Sequence, residues 1–305
     1  MRRIVSRTGY MILILILSSI AVFYAIRLSG GDATAAALPA STTAAQREAF
    51  RERLGLTAPI YVQYFQYAGR ILTGDMGNSL TNNADIGQML IRHGKNSLIL
   101  GAAAFALVFV IGIPLGIWAS VRRNRFADQG IMTFSVTGMA IPNFWLALLV
   151  IWLFASTFHL LPSAGCCEPR HLILPAVVLA FEGIALTVRM TRSAMLENLG
   201  QDWVRTARAA GLSEIRVIGK HAFRNALIPI ISLAGLRIGQ IVGYALVVET
   251  IFGWPGLGQV LVNAVLRRDY PVAQFFSVVL VALVVIGNWL ADLGYVIANP
   301  RLRRA

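Results

Sequence analysis

Six long apolar segments constrain this chain more than any other feature of its sequence. A helix that crosses the hydrocarbon of a bilayer needs about 20 mostly apolar residues. The segments cover residues 9–26, 97–120, 131–158, 172–188, 226–248 and 272–298. The chain is 57% hydrophobic and only 13% charged, whereas soluble domains carry about 25% charged residues. We therefore predict an all-α integral membrane protein with six transmembrane helices.

The first apolar segment could be a cleaved signal peptide, because Arg2, Arg3 and Arg7 precede it. Its apolar stretch is longer than the ~7–15 residues of a signal-peptide core, and no small-x-small cleavage site follows at once. We therefore expect a retained first transmembrane helix.

Basic residues indicate the orientation of the six spans. The N-terminus, the loop after the second span, the loop after the fourth span and the C-terminus are all rich in arginine, and six spans place all four on one side. The basic residues of the last three of these segments include Arg122, Arg123, Arg125, Arg192, Lys220, Arg224, Arg301, Arg303 and Arg304. Cytoplasmic loops carry such an excess, so we predict that both termini are cytoplasmic. Topology accounts for the net charge of +13, and we expect no nucleic-acid partner.

The predicted spans divide the chain into four parts. Residues 1–28 form the first transmembrane helix, and residues 29–95 form a long extracytoplasmic loop with an amphipathic helix. Residues 96–298 form a five-helix core, which includes a polar cytoplasmic loop at 192–225. Residues 299–305 form a cytoplasmic tail.

The polar cytoplasmic loop has the pattern of two short helices joined by glycine. One apolar stripe at spacings of three and four residues comprises Leu196, Leu199, Trp203, Ala207 and Ala210. Gly211 is a natural helix stop, and Ser213 is a natural N-cap for a second helix. Such a unit either lies flat on anionic lipid or docks into a groove on a cytoplasmic partner.

Several segments, in order along the chain, resemble a single family. They are LTGDMGNSL, AIPNFWLALL, HLILPAVVLA, DWVRTARAAGLS with HAFRNALIP, VETIFGWPGLGQ and NPRLR. These motifs resemble the permease subunits of bacterial peptide/nickel-type (dipeptide and oligopeptide) ABC importers, and the likeness covers nearly the whole chain. It implies the type I importer permease fold in the bacterial cytoplasmic (inner) membrane.

The resemblance also implies the partners. A second homologous permease subunit, two cytoplasmic ATPase subunits, an extracytoplasmic substrate-binding protein and membrane lipid would surround the chain. ATP and Mg would be bound by the ATPase subunits, with no cofactor in this chain. The ATPase-coupling loop implied by the motif comprises Trp203, Arg205, Thr206, Ala207, Arg208, Ala210, Gly211, Leu212 and Ser213. The general permease loop has Glu-Ala-Ala where this chain has Arg205, Thr206 and Ala207, so no contact of that glutamate is transferred.

The sequence argues against catalysis by this chain. A P-loop needs G-x-x-x-x-G-K-[ST], whereas Gly219-Lys220 is followed by His221 and no glycine stands five residues before Gly219. A different class, an ion-coupled secondary transporter, would need inverted repeats or paired broken helices, and none is visible. We expect short peptides as the substrate, while a nickel chelate, glutathione or an oligosaccharide remains open.

Polar residues inside the spans are candidate pathway residues. Glu182 and Arg237 each cost about 2.5–3.5 kcal/mol at the middle of a bilayer. They either line a polar pathway or form a structural ion pair. Asp292 falls in the sixth span, where it either lines the pathway or lies near the interface. Asn143 follows Pro142 in the third span, where a break exposes backbone to a cavity.

Two further patterns remain. Gly235, Gly239 and Gly243 recur every four residues, and we expect them to pack against the partner permease or the fourth span. Cys166 and Cys167 are adjacent, lack zinc-site spacing and suggest no role. His159 and His171 flank them, so a metal site is an alternative, but we predict none.

Overall fold

The computed structural model describes the backbone of residues 2–28, 38, 41–53 and 55–298, with side chains at 8–28, 38, 41–52 and 55–290. The side chain of Asp292 and the C-terminal Arg301, Arg303 and Arg304 lie outside these residues. The helices are α1 (Arg2–Leu28), α2 (Ala44–Arg53), α3 (Ile60–Leu72), α4 (Ile86–Val121), α5 (Phe126–Ala140), α6 (Asn143–Val150), α7 (Pro169–Leu199), α8 (Asp202–Ala209), α9 (Phe223–Ile251), α10 (Leu257–Leu266) and α11 (Tyr270–Ala298). Two π-helical segments, Ile151–Thr157 and Arg216–Ala222, extend α6 and precede α9.

The third apolar segment is a bent pair rather than one straight helix. Among the described residues, five helices are long and apolar enough to cross a membrane, and α5 with α6 makes a sixth crossing if the pair counts as one span. The two arms meet at 108°. Pro142 offers no backbone N–H and disfavours helical geometry at Ile141, whose backbone is extended (φ −82°, ψ 120°). The break predicted at Pro142 is confirmed.

The packing of α4 against α7 shows that the bent pair crosses the bundle. Gly183 faces Val108, Gly112 faces Thr187 and Gly116 faces Thr191. The residue numbers of the contacting pairs therefore increase in the same direction along both helices. Helices α4 and α7 are therefore parallel neighbours. Two parallel spans require the chain between them to return across the membrane.

The contacts of the bent pair trace that return along α7. Asp128, at the start of α5, pairs with Arg192 near the end of α7, and Phe134 meets Phe181 further back. Leu146 of α6 shares a core cluster with Leu174 near the start of α7. The pair therefore runs antiparallel to α7 from one end to the other, which supports the count of six crossings.

The remaining helices complete a bundle with two distinct ends. A cluster that includes Ile86, Leu257 and Phe276 joins the starts of α4, α10 and α11, and Arg27 at the end of α1 donates a hydrogen bond to Gln274. We call this the distal end. Residues 122–125 and 200–222, the start of α1 and the end of α11 lie at the opposite end, which we call the basal end.

The long connection between α1 and α4 packs against the distal end. Phe23 of α1 contacts the rings of Tyr64 and Tyr67 on α3, and Arg27 donates a hydrogen bond to Gln63. Asp269, just before α11, accepts hydrogen bonds from Ser79 and Thr81. These polar contacts attach the loop to the ends of two spans.

Candidate functional site

The polar segment at the basal end forms two helical pieces, but its boundaries differ from the sequence prediction. We expected the stripe from Leu196 to Ala210 to lie on one short helix. Instead α7 continues to Leu199, and a new helix, α8, begins at Asp202 after a break at Gly200 and Gln201. Asp202 at the first turn of α8 suits the positive end of the helix dipole, which favours this restart.

Buried side chains fasten this segment to the bundle. Val204 of α8 and Val217 of the following π-helical segment are fully buried. Trp203 packs against a cluster that joins α7 and α9 through Met195, Ala226 and their neighbours. Trp203 therefore links α8 to two membrane-spanning helices by direct packing.

Gly211 makes the elbow between the two pieces. Its φ is 78°, in the left-handed region that glycine adopts at low cost. The Gly211 N–H donates to the Arg208 carbonyl and the Leu212 N–H to the Ala207 carbonyl, which closes α8. Helix restarts after Ser213, whose carbonyl accepts from Arg216 and Val217; this is the position predicted for the N-cap residue.

An ion pair spans the elbow. The Arg208 Nε donates to Glu214 Oε1 at 2.7 Å, and its Nη2 donates to Oε2 at 3.2 Å. Both side chains are about half exposed, so the pair is worth less than about 1 kcal/mol. Its two parallel hydrogen bonds favour one angle between the helical pieces.

Most side chains on the outer surface of this segment are exposed. Arg205, Thr206 and Ala210 are exposed, whereas Ala207 and Leu212 are half-buried. Ile215, directly after the elbow, is 85% exposed. The sequence prediction missed this residue, because Val217 and Ile218 follow it and nothing in the sequence marks Ile215 as the exposed one.

A buried ion pair fixes the basal end of α5 against α7. The Arg192 guanidinium donates to the two oxygens of Asp128 at 2.6 and 2.8 Å, and the Asn124 N–H donates to Asp128 Oδ2 at 2.9 Å. The Asp128 side chain is only 3% exposed. Sequence analysis counted Arg192 only as a topology signal and missed its partner.

We expect Asp128→Ala to destabilise the protein by about 3–5 kcal/mol, because it leaves Arg192 without a partner in a mostly buried site. The midpoint of thermal unfolding in detergent measures the loss. The control is Glu48→Gln, which removes an exposed pair with Arg51 at 3.9 Å and should change stability by less than about 1 kcal/mol. Equal midpoints for the two variants would contradict the expectation.

The candidate pathway residues Glu182 and Arg237 lie together. Arg237 Nη1 is 3.6 Å from Glu182 Oε1, and the two side chains are 3% and 26% exposed. Asn143 is half-buried at the start of α6, immediately after the break in the bent pair. The Glu182–Arg237 contact is the ion pair that the sequence allowed, and Glu182 is the partner that reaches the surface.

Comparisons with known proteins agree over nearly the whole chain. Residues 112–304 match the family described as binding-protein-dependent transport system inner membrane component, and residues 1–88 match the N-terminal model of such membrane components. The chain belongs to this permease family. The predicted family, and its place as a multi-pass protein of the cytoplasmic membrane, are confirmed.

Named relatives of this permease are transport subunits. It is 38% identical to the oligopeptide transport system permease protein AppB of Bacillus subtilis, over 98% of each chain. It is 40% identical to the di/tripeptide transport system permease protein DppB of Pseudomonas aeruginosa, over 82% of this chain and 83% of that one. A solved structure, an inward-facing form of the MetNI methionine ABC transporter, matches with a TM-score of 0.59 at 21% identity, over 70% of this chain and 97% of that one. The last likeness supports the predicted type I permease fold.

The VETIFGWPGLGQ motif of the permease builds the distal end around a buried carboxylate. Glu249 is 1% exposed and accepts hydrogen bonds from Ser97 Oγ and from the Gly258 N–H at 2.7 Å. His93 and Asn96 of α4 both contact the Pro255 carbonyl, at 2.8 and 2.9 Å. The motif therefore holds α10 against the start of α4. The motif alone did not indicate a role for Glu249, because its partner Ser97 is 152 residues away.

One member of the glycine series on α9 of the permease packs against a helix that the sequence did not predict. A Cβ at Gly239 would lie 2.6 Å from Asn288 Oδ1, so this residue packs against α11 and not against the fourth span. A Cβ added at Gly243 would meet no atom within 4 Å, and Gly235 is half-buried. Close glycine packing against the fourth span, α7, instead involves Gly112 and Gly116 of α4.

Cys166 and Cys167 form a disulfide in the loop before α7. The neighbouring Gly165 N–H donates to the Phe252 carbonyl, which joins this loop to the VETIFGWPGLGQ segment. The loop therefore belongs to the distal end of the permease, beside the network around Glu249.

Proposed function

We propose that this permease forms half of the translocation pathway of an ATP-driven importer of short peptides. A second homologous permease subunit would form the other half, and an extracytoplasmic binding protein would deliver the substrate. The names of the relatives, which transport dipeptides, tripeptides and oligopeptides, support peptides. Nickel chelates, glutathione and oligosaccharides are the alternatives within the family.

The basal end is proposed to face the cytoplasm. Its short connections carry Arg122, Arg123 and Arg125, and the stretch from Arg205 to Arg224 adds five further basic residues against one acidic residue. This excess is typical of cytoplasmic loops. Both chain termini then lie in the cytoplasm as well.

The segment from Trp203 to Ser213 is proposed to couple the permease to a cytoplasmic ATPase. The single observation that carries this proposal is the form of the segment: an exposed helix–elbow–helix surface whose inner side is fastened to α7 and α9. A helix transmits displacement, whereas a disordered loop absorbs it. ATP and Mg would be bound by two ATPase subunits, and this chain would be non-catalytic.

Cross-linking tests the coupling proposal. Thr206→Cys places a thiol on the exposed face of α8, and the matched control Thr73→Cys places one at an exposed site at the distal end. We expect a short thiol cross-linker in intact cells to join only the Thr206→Cys variant to an ATPase subunit. Failure of Thr206→Cys to cross-link, or equal cross-linking of both variants, would reject the proposal.

Transport by the reconstituted complex tests the substrate and the class of transporter. We expect a ligand-loaded binding protein to stimulate ATP hydrolysis at least several-fold with di- to oligopeptides, and less with a nickel chelate, glutathione or an oligosaccharide. Stimulation by one of the other ligands alone would reassign the substrate. Uptake driven by a proton gradient without ATP would instead favour a secondary transporter.

A further inference from the structure

One exposed sector of α9 carries polar side chains at intervals along its length, between apolar side chains that include Leu236 and Val247, and we call these polar side chains the stripe. Its members are Asn225, Ser232, Gln240, Tyr244 and Thr250, which fall within one sector of about 120° at 100° per residue. All are exposed except Ser232, which is half-buried. The stripe therefore runs from the basal end to the distal end of a membrane-spanning helix.

The exposed faces in the middle of α1 and α4 are more apolar than this sector of α9. The exposed side chains in the middle of α1 include Leu13, Ile16 and Leu17, and those of α4 include Leu98 and Val110. Such faces suit lipid. Polar side chains at membrane depth are costly in lipid and face protein or a water-filled cavity. The stripe on α9 therefore suits a hydrated pathway better than the exposed faces of α1 and α4 do.

Glu182 joins this stripe near the middle of the bundle. It lies on α7 next to Gly183, which contacts Val108 about half-way along α4. Its carboxylate lies 3.6 Å from the Arg237 guanidinium, and Tyr244 lies close enough to interact with it. Arg237 is buried behind the stripe, so the carboxylate is the charged group that the pathway side can reach.

We propose that Glu182 is a transient binding site for the cationic amino terminus of a peptide as it crosses the membrane. An accessible carboxylate accepts charge-assisted hydrogen bonds from an ammonium group, and Tyr244 and Gln240 offer further polar contacts beside it. Arg237 holds the carboxylate in place and limits the strength of the site, so that the peptide is released. The proposal rests on the proposed function, because it assumes that peptides are the substrate.

Uptake per ATP hydrolysed by the reconstituted complex is the test. With a dipeptide that has a free amino group, we expect Glu182→Gln to lower this ratio about ten-fold, the scale of one charge-assisted hydrogen bond. Glu182→Asp should recover most of it. Glu168→Gln, an exposed site directly before the distal start of the same helix, is the matched control and should keep the wild-type ratio. Because the ratio does not depend on the amount of folded complex, partial misfolding does not imitate the effect.

An N-acetylated dipeptide identifies the group that is bound. It carries no cation, so Glu182→Gln should lower its uptake per ATP by less than two-fold relative to wild type. Equal losses for both dipeptides, or a Glu182→Gln ratio equal to that of the control, would overturn the proposal. Absence of peptide uptake by the wild-type complex would instead reject the proposed function, so the two failures are distinct.

A thiol-labelling experiment tests the stripe independently of Glu182. We expect a hydrophilic maleimide to label Gln240→Cys in the assembled complex and not Leu283→Cys, an exposed apolar position on α11. Equal labelling of the two positions, or none at Gln240→Cys, would contradict a hydrated stripe. The unchanged chain gives the background from Cys166 and Cys167, which are joined in a disulfide.

Discussion

Gly211→Pro is expected to reduce peptide uptake at least ten-fold while ATP hydrolysis by the assembled complex continues. The φ of 78° at Gly211 is inaccessible to proline, whose ring fixes φ near −65°. The elbow would have to open, and the Arg208–Glu214 pair would separate with it. The membrane-spanning helices do not depend on this residue, so insertion and assembly should persist. Parallel measurements of uptake and ATP hydrolysis in proteoliposomes give the result.

Two alanine variants distinguish an effect of backbone conformation from an effect of steric overlap with the added methyl group. A Cβ meets nothing within 4 Å at either Gly211 or Gly219, but only Gly211 has a positive φ. Gly211→Ala should therefore weaken coupling, since alanine pays roughly 1–2 kcal/mol in the left-handed region, whereas Gly219→Ala should behave like the wild type. Normal uptake by Gly211→Pro would count against the stiff coupling segment.

Repeated local signals made much of the architecture predictable from sequence. The apolar lengths predicted the spans, Pro142 predicted the break in the third, and Gly211 with Ser213 predicted the elbow; the structure contains all of these features. Each depends on a property of one short stretch, such as hydrophobicity or the φ allowed to a residue. Such properties are independent of which helix lies beside which.

Features that depend on tertiary neighbours could not be predicted in this way. Asp128 and Arg192 are 64 residues apart, and nothing local marks them as partners. The same holds for Glu249 and Ser97, which meet because α9 and α4 are antiparallel neighbours. For Gly239 the small-residue spacing indicated a helix contact, but the identity of the neighbour, α11, depends on the packing of the whole bundle. The roles of the coupling and pathway residues stay predictions.

Gly258→Ala is the second change with a large expected effect, because it removes the space in which α10 meets α9. A Cβ at Gly258 would overlap the Leu246 Cα, which is backbone and has no rotamer to relieve the contact. Overpacking ordinarily costs about 1–3 kcal/mol, and a contact with backbone should exceed that range. We expect little folded permease after solubilisation in mild detergent, measured as the monodisperse fraction in size-exclusion chromatography.

The hydrogen bonds of Glu249 at the distal end give this substitution a consequence beyond the local overlap. If α10 moves away to admit the methyl group, the Gly258 N–H leaves Glu249, whose buried carboxylate then loses one of its donors. Gly243→Ala is the matched control on α9, because its Cβ would meet nothing within 4 Å, and a glycine-to-alanine change inside a helix gains about 0.5–1 kcal/mol. The control should therefore yield as much folded permease as the wild type. Equal yields from Gly258→Ala and Gly243→Ala would show that α10 is not held at this distance from α9, and that the carboxylate does not fix the distal end.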